Sequence, residues 1–300
     1  MSPVFVLHQG RARQLGPDAF KSEKELQQFF EANLETLLGI RFVETEFSTG
    51  EKHGGRIDSL GLDESGNPVI IEYKWEKSDS VISQGLFYLD WLVDHRGDFE
   101  LAARKRLGQD VTIAWSNPRL ILIAGNYTKY DGYGINRLSP NIELMRYRRY
   151  SDGVFVVENV LEPVDADRRK GPLPKPSANL PIGELDYGLE YHLAKTSEAL
   201  SAAFLQLRDR ILPLDGVEER ANQKGQISYR TTKSFAAFDF RKAVIGVQFK
   251  GGDKPPPITG IDVRDIRNRQ WGYPWMCSLK GVQDIDKVFD VVKSAYMYEQ

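Results

Sequence analysis

Glu72 and Lys74 interrupt the apolar run VIIEYKW, residues 69–75, at alternate positions. Successive side chains of a strand point to opposite faces, so these two charges share one face while Ile71, Tyr73 and Trp75 are expected on the other. Upstream lie RIDSLGL (56–62) and a hairpin-type loop, DESGN (63–67). Pairing the two strands with Leu62 opposite Pro68 and Leu60 opposite Ile70 sets Asp58 opposite Glu72. Two bare carboxylates about 5 Å apart, at an effective dielectric of about 20, repel by roughly 3 kcal/mol. Lys74, one step along the same face, offsets part of this, and a hard divalent cation bridging both carboxylates would offset more. An isolated E-x-K is more simply a surface salt bridge, with Asp58 capping a turn. The upstream aspartate, the strand context and the helix that follows together favour a site.

The elements that must position these residues are legible around them. SEKELQQFFEANLETLLGI (22–40) opens on Ser22 as an N-cap and repeats apolar residues at Leu26, Phe29, Phe30, Leu34 and Leu37, which is helical spacing. RFVETEFS (41–48) alternates as a strand and, with 56–62 and 68–75, makes a three-strand meander. Residues 80–95 read as a second helix with Val81, Leu86, Leu89, Leu92 and Val93 on its apolar side. RLILIAGNY (119–127) is a continuous buried strand, and IELMRYRRY with VFVVEN adds two more before residue 160. The expected fold class is α/β, a mixed central sheet flanked by helices.

From Glu162 to Asn179 the composition turns to proline and charge without apolar periodicity, which marks an interdomain linker. The expected division is a first domain over 1–160, a linker over 161–183 and a smaller α+β domain over 184–300. In the second domain, 184–212 read as a helix or helix pair, QISYRTTKSFAAFDF and KAVIGVQFKG as strands, and DIDKVFDVVKSAYMYE as a closing amphipathic helix.

With 300 residues, 41% of them hydrophobic, the chain can bury a sizeable core. A single cysteine, Cys277, excludes an intrachain disulfide framework and is expected as a small buried hydrophobe. No apolar run reaches membrane-spanning length and MSPVFVLHQGRAR lacks the form of a secretory signal, so a cytoplasmic protein without a membrane partner is expected. A net charge of −2 excludes a general polycation, although ARKR (103–106), RYRR (146–149) and RRK (168–170) are local basic clusters. His8, His53, His95 and His192 show no metal-ligand spacing, which argues against zinc. Trp271, Tyr273 and Trp275 are expected as core and turn residues of the second domain, the alternative being a platform for bases.

GGRIDSLGLDESGNPVIIEYKW (54–75) resembles the catalytic core of the PD-(D/E)XK nuclease superfamily, in which an aspartate opens one strand and E-x-K lies on the next. Asp58, Glu72 and Lys74 take those places, with Ile57 standing where the naming proline would be. Gln84 and Tyr88 in QGLFY are four apart on the following helix, so they share a face and look like the Q-x-x-x-Y element of RecB-like and NucS-like members. The resemblance covers about residues 20–160 and is closest to the NucS-like branch; residues after 184 look similar to a domain of unknown function fused behind such nucleases. No counterpart of the separate N-terminal DNA-binding domain of NucS enzymes is recognised, so mismatch specificity is not implied.

The resemblance implies a restriction-endonuclease-like fold and a Mg²⁺-dependent nuclease, with Mn²⁺ as a substitute. Asp58, Glu72 and the backbone carbonyl of Tyr73 would ligate the metal. Lys74 would orient or deprotonate the attacking water. A glutamate from the first helix would join them, Glu23 being preferred over Glu25 because it lies nearer the sheet-facing side. Gln84 would sit near the metal or phosphate, Tyr88 would hold its helix or contact DNA, and Arg56 and Lys77 would contact the nucleic acid. The expected reaction is endonucleolytic cleavage of DNA, in repair or in defence against foreign DNA, with a homodimer left open. The alternatives are a non-catalytic nucleic-acid- or protein-binding module on the same fold, and a ribonuclease.

Overall fold

The computed structural model describes residues 3–50, 54–75, 81–127, 142–160, 187–221, 224–267 and 272–300. The first part of the chain runs β1 (Phe5–His8), β2 (Arg11–Gln14), β3 (Pro17–Asp18), α1 (Glu23–Leu38), β4 (Arg41–Ser48), β5 (Arg56–Leu62), β6 (Pro68–Lys74), α2 (Val81–Asp94), α3 (Arg96–Leu107), β7 (Arg119–Ala124), β8 (Ile142–Tyr150) and β9 (Phe155–Asn159). Strands β3 to β9 form one seven-stranded sheet in the order β3-β8-β7-β6-β5-β4, with β9 also paired to β8. The β4–β5–β6 meander is antiparallel, whereas β6, β7 and β8 run parallel. A parallel pair needs a crossover, and α2 with α3 supplies the one between β6 and β7.

Alternation in β6 sorts its residues between two cores. Val69, Ile71 and Tyr73 pack with Leu26, Phe30 and Leu34 of α1, while Ile70 packs on the other face with Leu89 and Leu92 of α2 and Phe99 of α3. With helices on both faces, the central strands carry continuous apolar runs; all six residues of β7 are buried. This is a mixed sheet with helices on either side, the α/β architecture expected. Helix α1 begins where Ser22 accepts a hydrogen bond from the Glu25 amide and ends at Gly39, whose φ of 66° a side chain would resist.

Some elements depart from expectation. Helix α3 was not anticipated because its inward side consists only of Phe99, Ala102 and Ala103, too sparse for a visible period; the ARKR cluster forms its last turn. Strands β1 and β2 pair only with each other. Trp75 falls just past the end of β6 and is 43% exposed instead of joining Ile71 and Tyr73 in the core, because the alternation stops with the strand.

The rest comprises α4 (Leu189–Leu193), α5 (Glu198–Ile211), β10 (Glu218–Arg220), β11 (Ile227–Arg230), β12 (Ser234–Arg241), β13 (Val244–Phe249), β14 (Arg264–Asp265), β15 (Trp275–Leu279) and α6 (Ile285–Tyr298). Its strands form a separate antiparallel sheet, β10-β11-β12-β13-β15-β14, with an α+β core of its own under α5 and α6. Cys277, Tyr273 and Trp275 are buried in this half. The expected linker, 161–183, and Trp271 lie outside the described residues. No helix among the described residues is long and apolar enough to cross a membrane.

The two sheets meet over a buried ion cluster. Glu143 on β8 is held by Arg119 of β7 at 2.7 Å and by Arg220 and Arg230 of the second sheet at 3.0 and 3.1 Å, while Arg119 also reaches Asp63 at 3.0 Å. Burial alone would push the Glu143 carboxyl up, but the three guanidinium groups hold it well below the usual carboxylate range. The β5–β6 turn completes the contact, Glu64 lying 3.6 Å from Lys250 and Ser65 accepting from Gln226 at 2.9 Å.

Candidate active site

The register of β5 and β6 is Leu62 opposite Pro68, Leu60 opposite Ile70 and Ser59 opposite Ile71, which places Asp58 beside Glu72 at the carboxyl end of β6. Their contact is reciprocal through the backbone. The Asp58 amide donates to Glu72 Oε1 at 3.1 Å, and Asp58 Oδ2 accepts from the Tyr73 amide at 3.0 Å. Glu72 is fully buried. Burial, and secondarily the Asp58 charge, push its carboxyl up to about 8. Burial likewise raises Asp58, against the pull of the Tyr73 hydrogen bond and Lys74. Two carboxylates are thus held together and partly dehydrated, a costly arrangement for a group with only a structural task.

Lys74 leaves the same edge and lies 3.4 Å from Glu23 Oε1, the first residue of α1. The other Glu23 oxygen accepts from the Trp75 amide at 3.1 Å. Glu25 turns elsewhere, accepting from the Lys21 amide at 2.6 Å and approaching Arg149 at 3.5 Å. Of the two helix glutamates the structure therefore brings Glu23 to the pair.

From the opposite face α2 delivers Gln84, whose Nε2 lies 3.4 Å from Glu72 Oε2 and 3.2 Å from the Tyr88 hydroxyl. Tyr88 is buried, and its hydroxyl accepts from the Arg56 amide at 3.1 Å, so it ties α2 to the start of β5. In this position Tyr88 holds the helix, the first of its two expected roles. Gly55 makes the contact possible, since a Cβ there would stand 2.7 Å from the Tyr88 ring. The Arg56 side chain is exposed and pairs with Glu46. Lys77 lies outside the described residues.

Behind the pair is a network that sequence reasoning missed. Gln27, almost wholly buried, places Nε2 2.7 Å from the Asp58 carbonyl, 2.9 Å from Glu31 and 3.1 Å from the Thr45 hydroxyl, its two N–H groups shared among these acceptors. Ser59 in turn donates to Glu31 at 2.6 Å. A signal was present: Gln27 follows Glu23 by four residues and so shares its helix face.

The donor set suits a hard divalent cation, being all oxygen, with two crowded carboxylates whose repulsion such an ion would relieve. The Tyr73 phenol is buried on the α1 side, so only its backbone is available here. Among the described residues no group of three or more His, Cys, Asp or Glu side chains is arranged to hold a metal. Asp58 and Glu72 remain a pair because Glu23 is turned to Lys74 and the Trp75 amide.

No family model matches the chain. A protein of Haemophilus influenzae strain KW20 / Rd, described as an uncharacterized protein, is 24% identical over 304 residues, covering 97% of this chain and 98% of its own. A chain from a structure of an EndoMS-dsDNA2 complex is 20% identical with a TM-score of 0.31, covering 42% of this chain and 44% of its own. A repair endonuclease from Pyrococcus abyssi is 22% identical with a TM-score of 0.30, over 43% of this chain and 48% of its own. The present chain spans less than half the length of either solved structure.

Proposed function

We propose that this chain is a divalent-metal-dependent nuclease that hydrolyses phosphodiester bonds of DNA by internal cleavage, with a role in repair or in defence against foreign DNA. The observation that carries the reading is the meeting of Asp58, Glu72, Lys74, Glu23 and Gln84, from two strands and two helices, at one edge of one sheet. The choice of DNA rests on the resemblance of residues 54–75 to the superfamily core.

Asp58, Glu72 and the Tyr73 carbonyl would hold Mg²⁺ or Mn²⁺. When bound, the ion supplies a water that is acidic enough to attack near neutral pH and a counter-charge for the phosphoryl oxygens. Lys74, steadied by Glu23, would orient or deprotonate the attacking water and donate a hydrogen bond to the phosphate as negative charge develops. Gln84 fixes the rotamer of Glu72 while Tyr88 fixes α2. Gln27 holds the Asp58 backbone from below.

The test is the full chain against plasmid, linear, branched and single-stranded DNA and against RNA, with Mg²⁺, Mn²⁺ or EDTA. Cleavage of DNA that EDTA stops and Lys74→Ala abolishes is the expected result. Folded protein that binds but cleaves nothing would make it a binding module on a nuclease fold, and cleavage of RNA alone would make it a ribonuclease.

A further inference from the structure

We propose that the β1–β2 hairpin is a nucleic-acid arm that lies in a groove of the duplex beside the site; this rests on the nuclease reading. All eight strand residues are exposed, including Phe5 at 51% and Leu7 at 75%. The strands form a sheet of their own, joined by Gln9 and Gly10, both at positive φ, as a two-residue hairpin turn requires. A lone two-stranded hairpin is marginal in water, so a surface that it can rest on would stabilise it.

Cross-strand pairing sorts the ribbon into two faces. Phe5, Leu7, Ala12 and Gln14 share one, while Val6, His8, Arg11 and Arg13 share the other. Residues 3–16 contain two arginines, a histidine and no acid, in a chain whose net charge is −2. With Arg13 paired to Asp152, the cation that the ribbon offers an anionic partner is Arg11.

Placement favours the substrate. Lys74 pairs with Ala124 and Ala124 with Arg146, and β8 then runs on to Tyr150. Tyr150 pairs with Pro17, and Ser151 donates to the Gly16 carbonyl at 2.9 Å. The ribbon is thus rooted at the same edge of the sheet as Asp58, Glu72 and Lys74. Its base lies two strands across, about 10 Å, and four residues beyond, about 13 Å. That offset of roughly 16 Å is about half a turn of B-form duplex.

Size argues against a second copy of the chain as the occupant. A stable protein interface engages about 20–30 residues a side, far more than this ribbon offers. The major groove, about 12 Å wide, admits a two-stranded ribbon. There the Arg11 face would meet the phosphate wall, and Phe5 and Leu7 would meet base edges, thymine methyls or sugars. Arg13 is braced at the base by Asp152.

The experiment uses the full chain and a fluorescein-labelled duplex of about three helical turns, titrated in EDTA at several salt concentrations and followed by anisotropy. Arg11→Ala should weaken binding several-fold and lower the salt slope by about 0.9, the value for one lost phosphate contact. Phe5→Ser combined with Leu7→Ser should weaken binding with the slope unchanged; should one variant fail to fold, the other decides. With Mg²⁺ both should raise KM and hold kcat. If both bind as wild type, the arm is no DNA contact. If light scattering shows a wild-type dimer that the Phe5/Leu7 variant dissociates without changing duplex affinity, the ribbon is a self-association surface and the proposal falls. If the wild type neither binds nor cleaves DNA, the nuclease reading fails with it. If the wild type cleaves and the variants match it, only the arm is refuted.

Discussion

Asp58 and Glu72 are locked together through the backbone as well as by proximity: the Asp58 amide donates to Glu72, and the Asp58 carboxylate caps the amide of the residue after Glu72. A buried and a half-buried carboxylate are thereby denied the option of turning away from one another. In metal-free protein that geometry costs stability. Glu72→Gln should leave the thermal midpoint in EDTA unchanged below about pH 8, where the Glu72 carboxyl holds its proton, and raise it by a few degrees above, since an amide keeps the shape and cannot ionise. The same variant should lose cleavage by at least about 100-fold. A lower midpoint in EDTA would mean that Glu72 serves the fold.

Lys74→Ala should reduce cleavage below detection while unfolding stays cooperative. Glu23→Ala should lower the rate by about 10- to 100-fold, because Lys74 loses its anchor, whereas Glu25→Ala should stay within about threefold of wild type. Single-turnover rates at saturating DNA separate the two glutamates. Equal losses would contradict the placement of Glu25 against Arg149 and the Lys21 amide.

The buried ion cluster predicts strong mutual dependence of the two sheets. Arg230→Met or Glu143→Gln strips one partner from a desolvated network, and urea melts should show a loss of roughly 3–5 kcal/mol. Restoring charge balance with both substitutions together should recover part of it. A fragment ending near residue 160 would leave Glu143 with Arg119 but without Arg220 or Arg230. That fragment should therefore melt well below the full chain. If it matches the full chain, the cluster is dispensable to the first half.

Glu64 gives the fold a pH dependence. Burial, partly offset by Lys250 and Arg230, pushes its carboxyl from the usual 4.5 up to about 7. Between these values the folded protein holds a proton that the unfolded chain has released, so this contribution to stability is complete below about pH 4.5 and is lost as pH rises through about 7. Its full span is on the order of 3 kcal/mol. Glu64→Gln should flatten the stability profile across that window, and an unchanged slope in denaturant melts from pH 5 to 8 would assign the dependence to other groups.

Local pattern alone determined a good deal of this protein. Capping by Ser22, the helical spacing of α1, and alternation in β5 and β6 were all written in short stretches. One register choice for the hairpin was enough to set Asp58 against Glu72, because a period of two leaves few ways to bury Leu60, Leu62 and Ile70 together. Tertiary structure decided what no short window contains. Helical angle already favoured Glu23 over Glu25, but that its carboxylate reaches Lys74 and the Trp75 amide was set by where α1 crosses the edge of the sheet. Gln27 lies under Asp58 for the same reason. Trp75 escaped its predicted burial because strand alternation holds only as long as the ladder does. The ion cluster joins residues from 63 to 230, where side-chain charge announces a need for partners but carries no record of which partners the folded chain brings near.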